Sequence, residues 1–243
     1  MSIVLLHAVA TVVASAAAVD PQPGTLWLCC WEGENVLLTK ELRDQYDARF
    51  KACVVAPEKK DEVEQIITRI MKNRGRYENV EARTSVPWFI IALLHNMECD
   101  GNFNCHLHNG DPLHARTVNE PKGRPLRWSA NGTWEESADD ALLYDGFDVW
   151  HDWETVSGAL FKIEVYNGWG YQMKSIPSPY LWGSSSIYSR GKFVSDGHFD
   201  PNAVSQQIGA AVLLRRMIDQ HLVDLPIGGQ TAAVQQPASG GSK

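Results

Sequence analysis

The segment from Thr84 to Thr117, TSVPWFIIALLHNMECDGNFNCHLHNGDPLHART, is the part around which the rest of the chain is organised. Ser85 is predicted to be the N-cap of a helix, and Pro87 suits its first turn, where a missing N–H costs little. Residues 88–97 are apolar on nearly every side, which is typical of a central helix that others surround. We therefore expect one buried helix at the centre of the fold.

The predicted helix ends in an acid. Glu98 lies one helical turn after Leu94 and therefore shares its face. An acid on the buried face of a central helix is costly unless it has a partner or a chemical role. Directly after it, Gly101, several Asn residues and Gly110 indicate turns, and they predict a polar hairpin beside the acid.

A buried helix that ends in Glu and is followed by a polar hairpin resembles the lysozyme superfamily, which includes lysozymes, lytic transglycosylases, chitosanases and phage endolysins. The likeness to its bacterial and phage lysozyme-like members rests on PWFIIALLHNMECDGNFNCHLHNGDPL, GRP, YNGWGY and SPYLW, and extends over residues 59–222. The YNG at 166–168 resembles the Tyr-Asn-Gly step that lines the transglycosylase cleft. The chain departs from the family pattern where Cys99 replaces the usual Ser and the expected Gly is displaced to Gly101.

This resemblance implies a mainly helical α+β fold, lysozyme-like, with a central buried helix and a small β-hairpin. It also implies a glycosidase that degrades peptidoglycan by cutting the β-1,4 bond between N-acetylmuramic acid and N-acetylglucosamine. Glu98 would be the general acid, because burial among apolar residues raises the pKa of a carboxyl and keeps it protonated. Water or the substrate's own hydroxyl could attack, and the sequence leaves both open.

A second catalytic carboxylate has two candidates. Asp111 lies on the predicted hairpin, and Thr117 follows six residues later, which resembles the Asp and Thr of phage-type lysozymes that hold a water. Asp111 could instead fix a turn through an Asx hydrogen bond, as is common for Asp beside Gly and Pro. Asp100 competes with it, since it is nearer to Glu98 in sequence.

Substrate-binding residues are expected on the opposite cleft wall. By the resemblance, Tyr166 and Asn167 would hold an N-acetyl group or the scissile sugar. Sugars stack on aromatic rings, although such rings more often belong to the core. The aromatic candidates are Trp150, Trp153, Trp169, Tyr171, Tyr180 and Trp182, of which Trp169, Tyr180 and Trp182 are the binding candidates we favour.

The histidines of the same segment suggest two other interpretations. His106, His108 and His114 lie near Cys105, but no standard spacing of zinc ligands is present. We therefore expect no metal and no cofactor. His108 is predicted either to contact the substrate or to form a hydrogen bond inside the hairpin.

The composition and charge of the chain limit which classes of binding partner are expected. The chain has 243 residues, 44% hydrophobic and 21% charged, which suits one globular domain. Its formal net charge of −7 argues against a nucleic-acid-binding protein and gives no electrostatic attraction to an anionic cell wall. We expect a monomer that acts on peptidoglycan or a related amino-sugar polymer.

The N-terminus predicts export. Residues 1–19 form an apolar run that ends in small residues, as in a signal peptide, although Lys and Arg are missing from its start. A releasable membrane anchor, with only transient membrane contact, and an apolar helix packed on the domain are the alternatives. The protein would then be periplasmic, extracellular, or phage-encoded and released at lysis.

The expected organisation has four parts: residues 1–19, an N-terminal segment at 20–58, the lysozyme-like domain at 59–225, and a disordered tail at 226–243 without apolar periodicity. Five cysteines are present, and in an oxidising compartment Cys99 and Cys105 could form a disulfide across the turn after Glu98. In the cytosol all five would be free.

Periodicity predicts further helices through residues 38–50, after Pro57, from the Thr133–Glu136 capping box, and up to Tyr166. A final helix is predicted to start at Asp200 and Pro201. Residues 26–31 fit either a strand or a buried segment, 74–83 a polar link, and 177–186 an irregular stretch.

Two variants of function remain beside the peptidoglycan glycosidase. One is a chitinase or chitosanase on the same fold. The other is a non-catalytic glycan-binding or virion structural protein, which the replacement of the usual Ser by Cys99 supports.

Overall fold

The computed structural model describes residues 30–31, 34–129, 131–195 and 197–227. The predicted leader at 1–19 lies outside these residues, and so does the predicted tail from 228 onward. None of the helices in the described ranges is long and apolar enough to cross a membrane.

The described chain is mainly helical with small antiparallel pairs of strands, which confirms the predicted α+β class. One pair joins β1 (Cys30–Trp31) to β2 (Glu34–Asn35), and the other joins β3 (Lys192–Ser195) to β4 (His198–Asp200). The helices are α1 (Lys40–Ala52), α2 (Lys60–Lys72), α3 (Arg74–Thr84), α4 (Trp88–Cys99), α5 (Trp134–Tyr144), α6 (Val156–Asn167), α7 (Gly170–Met173), α8 (Pro179–Trp182) and α9 (Ala210–Asp219).

Helix α4 is the central helix, as predicted. Every residue from Trp88 to Met97 is buried, and the helix contacts α3, α6 and α9. Its start differs from the prediction, because Pro87 is the N-cap and Ser85 instead ends α3 in the left-handed region with φ of 60°. Only one residue, Val86, separates these two positions, so one short turn both closes α3 and starts α4.

Several local predictions are confirmed. Helix α1 covers the predicted apolar period, and a short 3-10 turn at Pro57–Lys59 leads into α2. Thr133 accepts a hydrogen bond from the backbone N–H of Glu136, whose side chain returns the bond, so the capping box of α5 forms. Helix α6 ends at Asn167, one residue after the predicted end.

Three local predictions were wrong. Residues 74–83 form helix α3, because Tyr77, Val80 and Thr84 recur on one buried face among charged neighbours. The stretch 177–186 contains the short helix α8. The last helix begins at Ala210, because Asp200 ends a strand and Gly209 must pass close to α8, where an added Cβ would lie 2.2 Å from the Leu181 carbonyl oxygen.

The polar hairpin predicted after Glu98 is not formed as strands. Residues 100–129 are an irregular loop with one isolated bridge, between Cys105 and Pro112. The well-formed hairpin is β3–β4, about a hundred residues later in the chain. Side chains rather than a ladder satisfy much of the loop's backbone, as the contacts of Asp111 show below.

Candidate functional site

Glu98 occupies the last turn of α4 and is half-buried there. Its Oε1 accepts a 2.7 Å hydrogen bond from the hydroxyl of Tyr180. Burial raises the pKa of Glu98 from its usual 4.5 to about 7, the Tyr180 hydrogen bond opposes that rise, and the Asp145 carboxyl adds to it. Glu98 is therefore a carboxylic acid that holds its proton close to neutral pH.

A cleft of about 400 Å³ opens beside Glu98. One wall is the end of α4, and the facing walls come from α8, the hairpin β3–β4 and the loop before α9. Its lining includes Glu62, Asn96, Glu98, Asp100, Asn167, Tyr171, Tyr180, Lys192, Phe193, Val194, Ser195, Val204, Gln206 and Gln207. This mixture of amide, hydroxyl and apolar groups around one acid is typical of a site for a polar ligand with apolar faces.

The cleft walls are tied to α4 by long-range contacts. Gln207 donates from Nε2 to the Met97 carbonyl oxygen at 2.9 Å, so the loop before α9 is fixed to the last turn of α4. Ser178 caps α8 by accepting from the Tyr180 N–H, which fixes the start of the helix that carries Tyr180. Tyr180 is buried, so its hydroxyl reaches Glu98 from the core side.

Asp111 does not line this cleft. Its buried carboxylate accepts three hydrogen bonds, from the N–H of Val118 at 2.7 Å, the N–H of Asn119 at 2.9 Å and the Asn119 amide at 2.7 Å. These donors use the lone pairs that a base would need. The geometry therefore favours the turn-fixing alternative for Asp111.

Thr117 is also used by the loop. Its hydroxyl donates to the Pro121 carbonyl oxygen and accepts from the Arg124 N–H at 2.9 Å. The side chain is buried and is not among the cleft-lining residues. The expected pair of Asp111 and Thr117 thus organises residues 111–124, and neither side chain lines the cleft beside Glu98.

The loop nevertheless touches the backbone of the acid. Gly110 has φ of 76°, and a Cβ added there would lie 2.7 Å from the Glu98 carbonyl oxygen. Only glycine fits both the left-handed conformation and this close approach. The loop therefore supports the end of α4 from behind, on its backbone side.

The Tyr-Asn-Gly step divides into two roles. Tyr166 is buried and donates from its hydroxyl to the Leu107 carbonyl oxygen at 2.7 Å, so it anchors the loop. Asn167 lines the cleft, and its buried Oδ1 has no partner among the described residues. Because this oxygen is buried, a ligand N–H or O–H could reach it only after the Asn167 side chain turns towards the cleft.

Three other binding candidates do not reach the cleft. Trp182 is fully buried in the core, and Trp169 packs on Phe161 with ring centroids 5.6 Å apart. The His108 side chain is fully buried and contacts the Asp140 carboxylate at 2.8 Å. These residues correct the sequence prediction, because aromatic density in this chain marks packing. Tyr180 and Tyr171 are the aromatic candidates that line the cleft.

Asp100 was the competing carboxylate, and it lies at the cleft rim. It ends α4 in the left-handed region with φ of 50°, and its Oδ1 accepts from Arg69 at 3.0 Å. The same guanidinium donates to the Asn96 amide oxygen at 2.7 Å. Arg69 therefore neutralises Asp100 and holds the α4 end in place.

Sequence reasoning missed Asp145. It follows α5, and burial raises its pKa to about 7, while the Lys162 ammonium opposes the rise. Its charge raises the pKa of both Glu98 and Tyr166, so it belongs to the electrostatic surroundings of the acid. The only sequence signal is an Asp that directly ends an amphipathic helix, which is common at surfaces.

Cys99 and Cys105 are free thiols in contact with each other. The hydrogen bond between them is the main cause that raises the pKa of the buried Cys99 and lowers that of the half-buried Cys105 to about 7. The His106 carbonyl oxygen lies 3.2 Å from the Cys99 sulfur and competes with Cys105 for its single thiol proton. The disulfide considered from the sequence is thus not present, although the two sulfurs are adjacent.

Protein groups also occupy both ring nitrogens of His106. His106 contacts the Ser137 hydroxyl at 2.7 Å and the Ala115 carbonyl oxygen at 2.6 Å. Across the described ranges, no group of three or more His, Cys, Asp or Glu side chains is arranged to hold a metal ion.

Comparison with known proteins does not assign the chain to a family. No family model, no curated protein and no solved structure matches it. Its likeness to the lysozyme superfamily therefore stays a prediction from the motifs that carry it.

Proposed function

We propose that this protein cleaves the β-1,4 bond between N-acetylmuramic acid and N-acetylglucosamine in peptidoglycan, with Glu98 as the general acid. The observation that carries the proposal is a carboxyl of pKa about 7 at the wall of a 400 Å³ cleft. A general acid works best when its pKa is near the working pH, since it is then both protonated and able to release the proton. Glu98 would protonate the glycosidic oxygen as the bond breaks.

Asn167 supports an amino sugar as the ligand. Its buried Oδ1 faces no donor among the described residues, so a rotation of the side chain towards the cleft would let it accept a hydrogen bond from the N–H of an N-acetyl group. Gln206, Gln207 and Ser195 offer further polar groups along the same cleft. Val194 and Val204 present exposed apolar surface beside them, which suits the apolar face of a sugar ring.

The charges of the cleft favour attack by a hydroxyl of the substrate over attack by a base-activated water. The two other carboxylates that line the cleft are Glu62 and Asp100, and each already pairs with a cation. Once Glu98 has given up its proton, its carboxylate can accept the proton of an attacking sugar hydroxyl. This route forms an anhydro ring and restores the acid without a second carboxylate.

The test is product analysis on purified peptidoglycan, with a chitin oligosaccharide and chitosan as parallel substrates. We expect wild-type protein to release fragments with anhydro ends, identified by mass spectrometry. Glu98→Gln should lower the rate by about 10²- to 10⁴-fold, because the general acid is lost. Glu62→Gln, which changes a carboxylate in the same cleft, should keep activity within a few-fold.

Each result has a distinct meaning. Reducing ends in place of anhydro ends would show that water attacks, and the substrate-hydroxyl route would be wrong. Cleavage of chitin or chitosan but not peptidoglycan would contradict the proposed substrate. Activity of Glu98→Gln close to wild type would contradict the role of the acid itself.

A further inference from the structure

Lys192 is an unusual charge in the Glu98 cleft. It is half-buried at the start of β3 and lines the cleft, yet it forms no ion pair with any residue of the described ranges. Asp200 is its cross-strand neighbour in the ladder, but the two side chains do not form a salt bridge. A lysine left unpaired beside an acid-rich surface is available to an anionic ligand.

The other charges of the cleft are compensated. Glu62 pairs with Lys59 at 2.7 Å, and Asp100 pairs with Arg69 at 3.0 Å. Below its pKa of about 7, Glu98 is mainly protonated and neutral. The uncompensated charge of the cleft is therefore positive below pH 7, although the whole chain carries a formal net charge of −7.

The hairpin holds the Lys192 backbone firmly in this position. The next residue, Phe193, donates from its N–H to the Tyr171 hydroxyl at 3.1 Å. The Phe193 ring also packs edge-on against Tyr171 and Phe199, with centroids 5.0 and 5.2 Å away. The backbone that carries Lys192 is therefore held in place at the cleft wall.

The candidate polymers differ in the charge that they would present to Lys192. Denuded glycan strands of peptidoglycan, from which the stem peptides have been removed, carry a free lactyl carboxylate on every N-acetylmuramic acid. Chitin carries no charge, and chitosan carries ammonium groups. A fixed ammonium in a cleft attracts the first, is indifferent to the second and repels the third.

We propose that Lys192 is a specificity-determining residue that binds a carboxylate of the glycan and so selects anionic amino-sugar polymers. This inference rests on the proposed function and adds a residue and a charge rule to it. The hairpin β3–β4 thereby has a role of its own, as the wall of the cleft that distinguishes one polymer from another.

The test compares denuded glycan strands of peptidoglycan with the same strands after their lactyl carboxyl groups are converted to methylamides. Lys192→Gln should lower kcat/KM on the native strands by about ten-fold, the loss of one hydrogen bond to a charged group, mainly through KM. On the methylamide strands the variant should match wild type. Lys192→Arg should retain most of the preference, since it keeps the charge.

Lys174→Gln is the matched control. Lys174 directly follows α7, and its ammonium lies 5.0 Å from the Phe199 ring of the hairpin without lining the cleft. It should leave the preference for native strands unchanged. An equal loss on both substrates with Lys192→Gln, or no loss on either, would overturn the proposal, because the side chain would then only shape the hairpin or do nothing.

A binding experiment separates this inference from the proposed function. Calorimetry would measure the affinity of soluble glycan strands for Glu98→Gln and for the double variant with Lys192→Gln. If wild type cleaves no glycan, yet binding to native strands weakens when Lys192 is changed, the cleavage proposal fails and the charge rule stands. If no native strand binds, or if binding is the same with and without Lys192, the proposal that Lys192 selects anionic strands is wrong.

Discussion

The Tyr180 hydroxyl and the Glu98 carboxyl are joined by a 2.7 Å hydrogen bond that links residues 82 positions apart. Two effects compete at this carboxyl. Burial favours the neutral acid, whereas the Tyr180 hydrogen bond favours the anion. The balance sets the pKa of Glu98 near 7, so Tyr180 tunes the acid by limiting how far burial raises its pKa.

Removing that hydroxyl should move the pH profile. In Tyr180→Phe the anion of Glu98 loses a donor, so its pKa should rise above about 7. The descending limb of kcat/KM against pH, where the acid loses its proton, should then shift to higher pH. Tyr171→Phe, at the other tyrosine of the cleft, is the control that should leave the limb in place. A limb that is unmoved by Tyr180→Phe would mean that another group titrates.

Ionisation of Glu98 at high pH should lower the free energy of unfolding. Its folded-state pKa of about 7 exceeds the usual value of 4.5, so the folded protein holds the proton more tightly than the unfolded chain. The stability that this gives is complete below about pH 4.5 and is lost as pH rises through 7. Glu98→Gln does not titrate, so its advantage in free energy of unfolding over wild type should grow from pH 5 to pH 8.

Urea denaturation at a series of pH values measures this effect. Glu62→Gln, at the exposed rim of the same cleft, serves as the control and should follow the wild-type curve. Parallel curves for Glu98→Gln and wild type would show that Glu98 titrates alike in the folded and unfolded chain.

Asp111→Asn should affect stability rather than chemistry. The substitution leaves one carbonyl oxygen for three donors and turns an amide N–H towards at least one of them. We expect a loss of about 1–3 kcal/mol in free energy of unfolding, the cost of unsatisfied buried groups. Activity per folded molecule should stay within a few-fold, measured below the unfolding transition.

The exposed Asp148 supplies the control, since Asp148→Asn should change neither quantity. A fall of Asp111→Asn activity by orders of magnitude at full stability would restore Asp111 to a chemical role.

The two adjacent thiols should join under mild oxidation. The Cys105 thiol, with its pKa lowered to about 7, is half-buried and can attack oxidised glutathione as the thiolate. Cys99 then displaces glutathione as a thiolate, so one intramolecular disulfide forms and two glutathione thiols are released. Peptide mapping without reductant should find Cys99 joined to Cys105. Cys53, buried and apart from this pair, should stay free.

A Cys105→Ser variant is the control for that assignment. It should leave Cys99 unmodified, because burial shields the remaining thiol. Mixed disulfides of Cys99 with glutathione, or no linked peptide in wild type, would contradict the expected pairing.

Features that depend on neighbouring residues could be predicted from the sequence. The capping box between Thr133 and Glu136 needs only three residues of spacing, and it forms as predicted. The apolar run of α4 and its terminal acid are likewise local patterns. Ser85 shows the limit of such local patterns. It was predicted as the N-cap of α4, but it is the C-cap of α3.

Features that depend on long-range partners could not be predicted in this way. Asp111 stands in a sequence context that fits a base or a turn equally well, and the deciding donors at 118 and 119 are on another part of the loop. From the sequence, Trp182 fits a sugar-stacking ring as well as a core residue, because a tryptophan ring suits both environments. Only the surrounding structure shows that it is buried in the core.

The cleft walls were the least predictable part. Lys192 and Gln207 lie in stretches without helical periodicity, and nothing local indicates that they face Glu98. Their positions follow from the packing of β3–β4 on Tyr171 and of the loop before α9 on α4. A sequence pattern can therefore locate the acid but not the groups that surround it.

The long sequence separation within the Tyr180–Glu98 pair has a consequence for biosynthesis. When Glu98 leaves the ribosome, the chain that will bury it and supply its hydrogen-bond donor has not yet been made. Until α8 and the segment up to residue 208 have been translated and docked, Glu98 is an ordinary solvated carboxyl that is ionised in neutral cytoplasm. A nascent or prematurely terminated chain that stops before residue 208 would therefore lack the tuned acid.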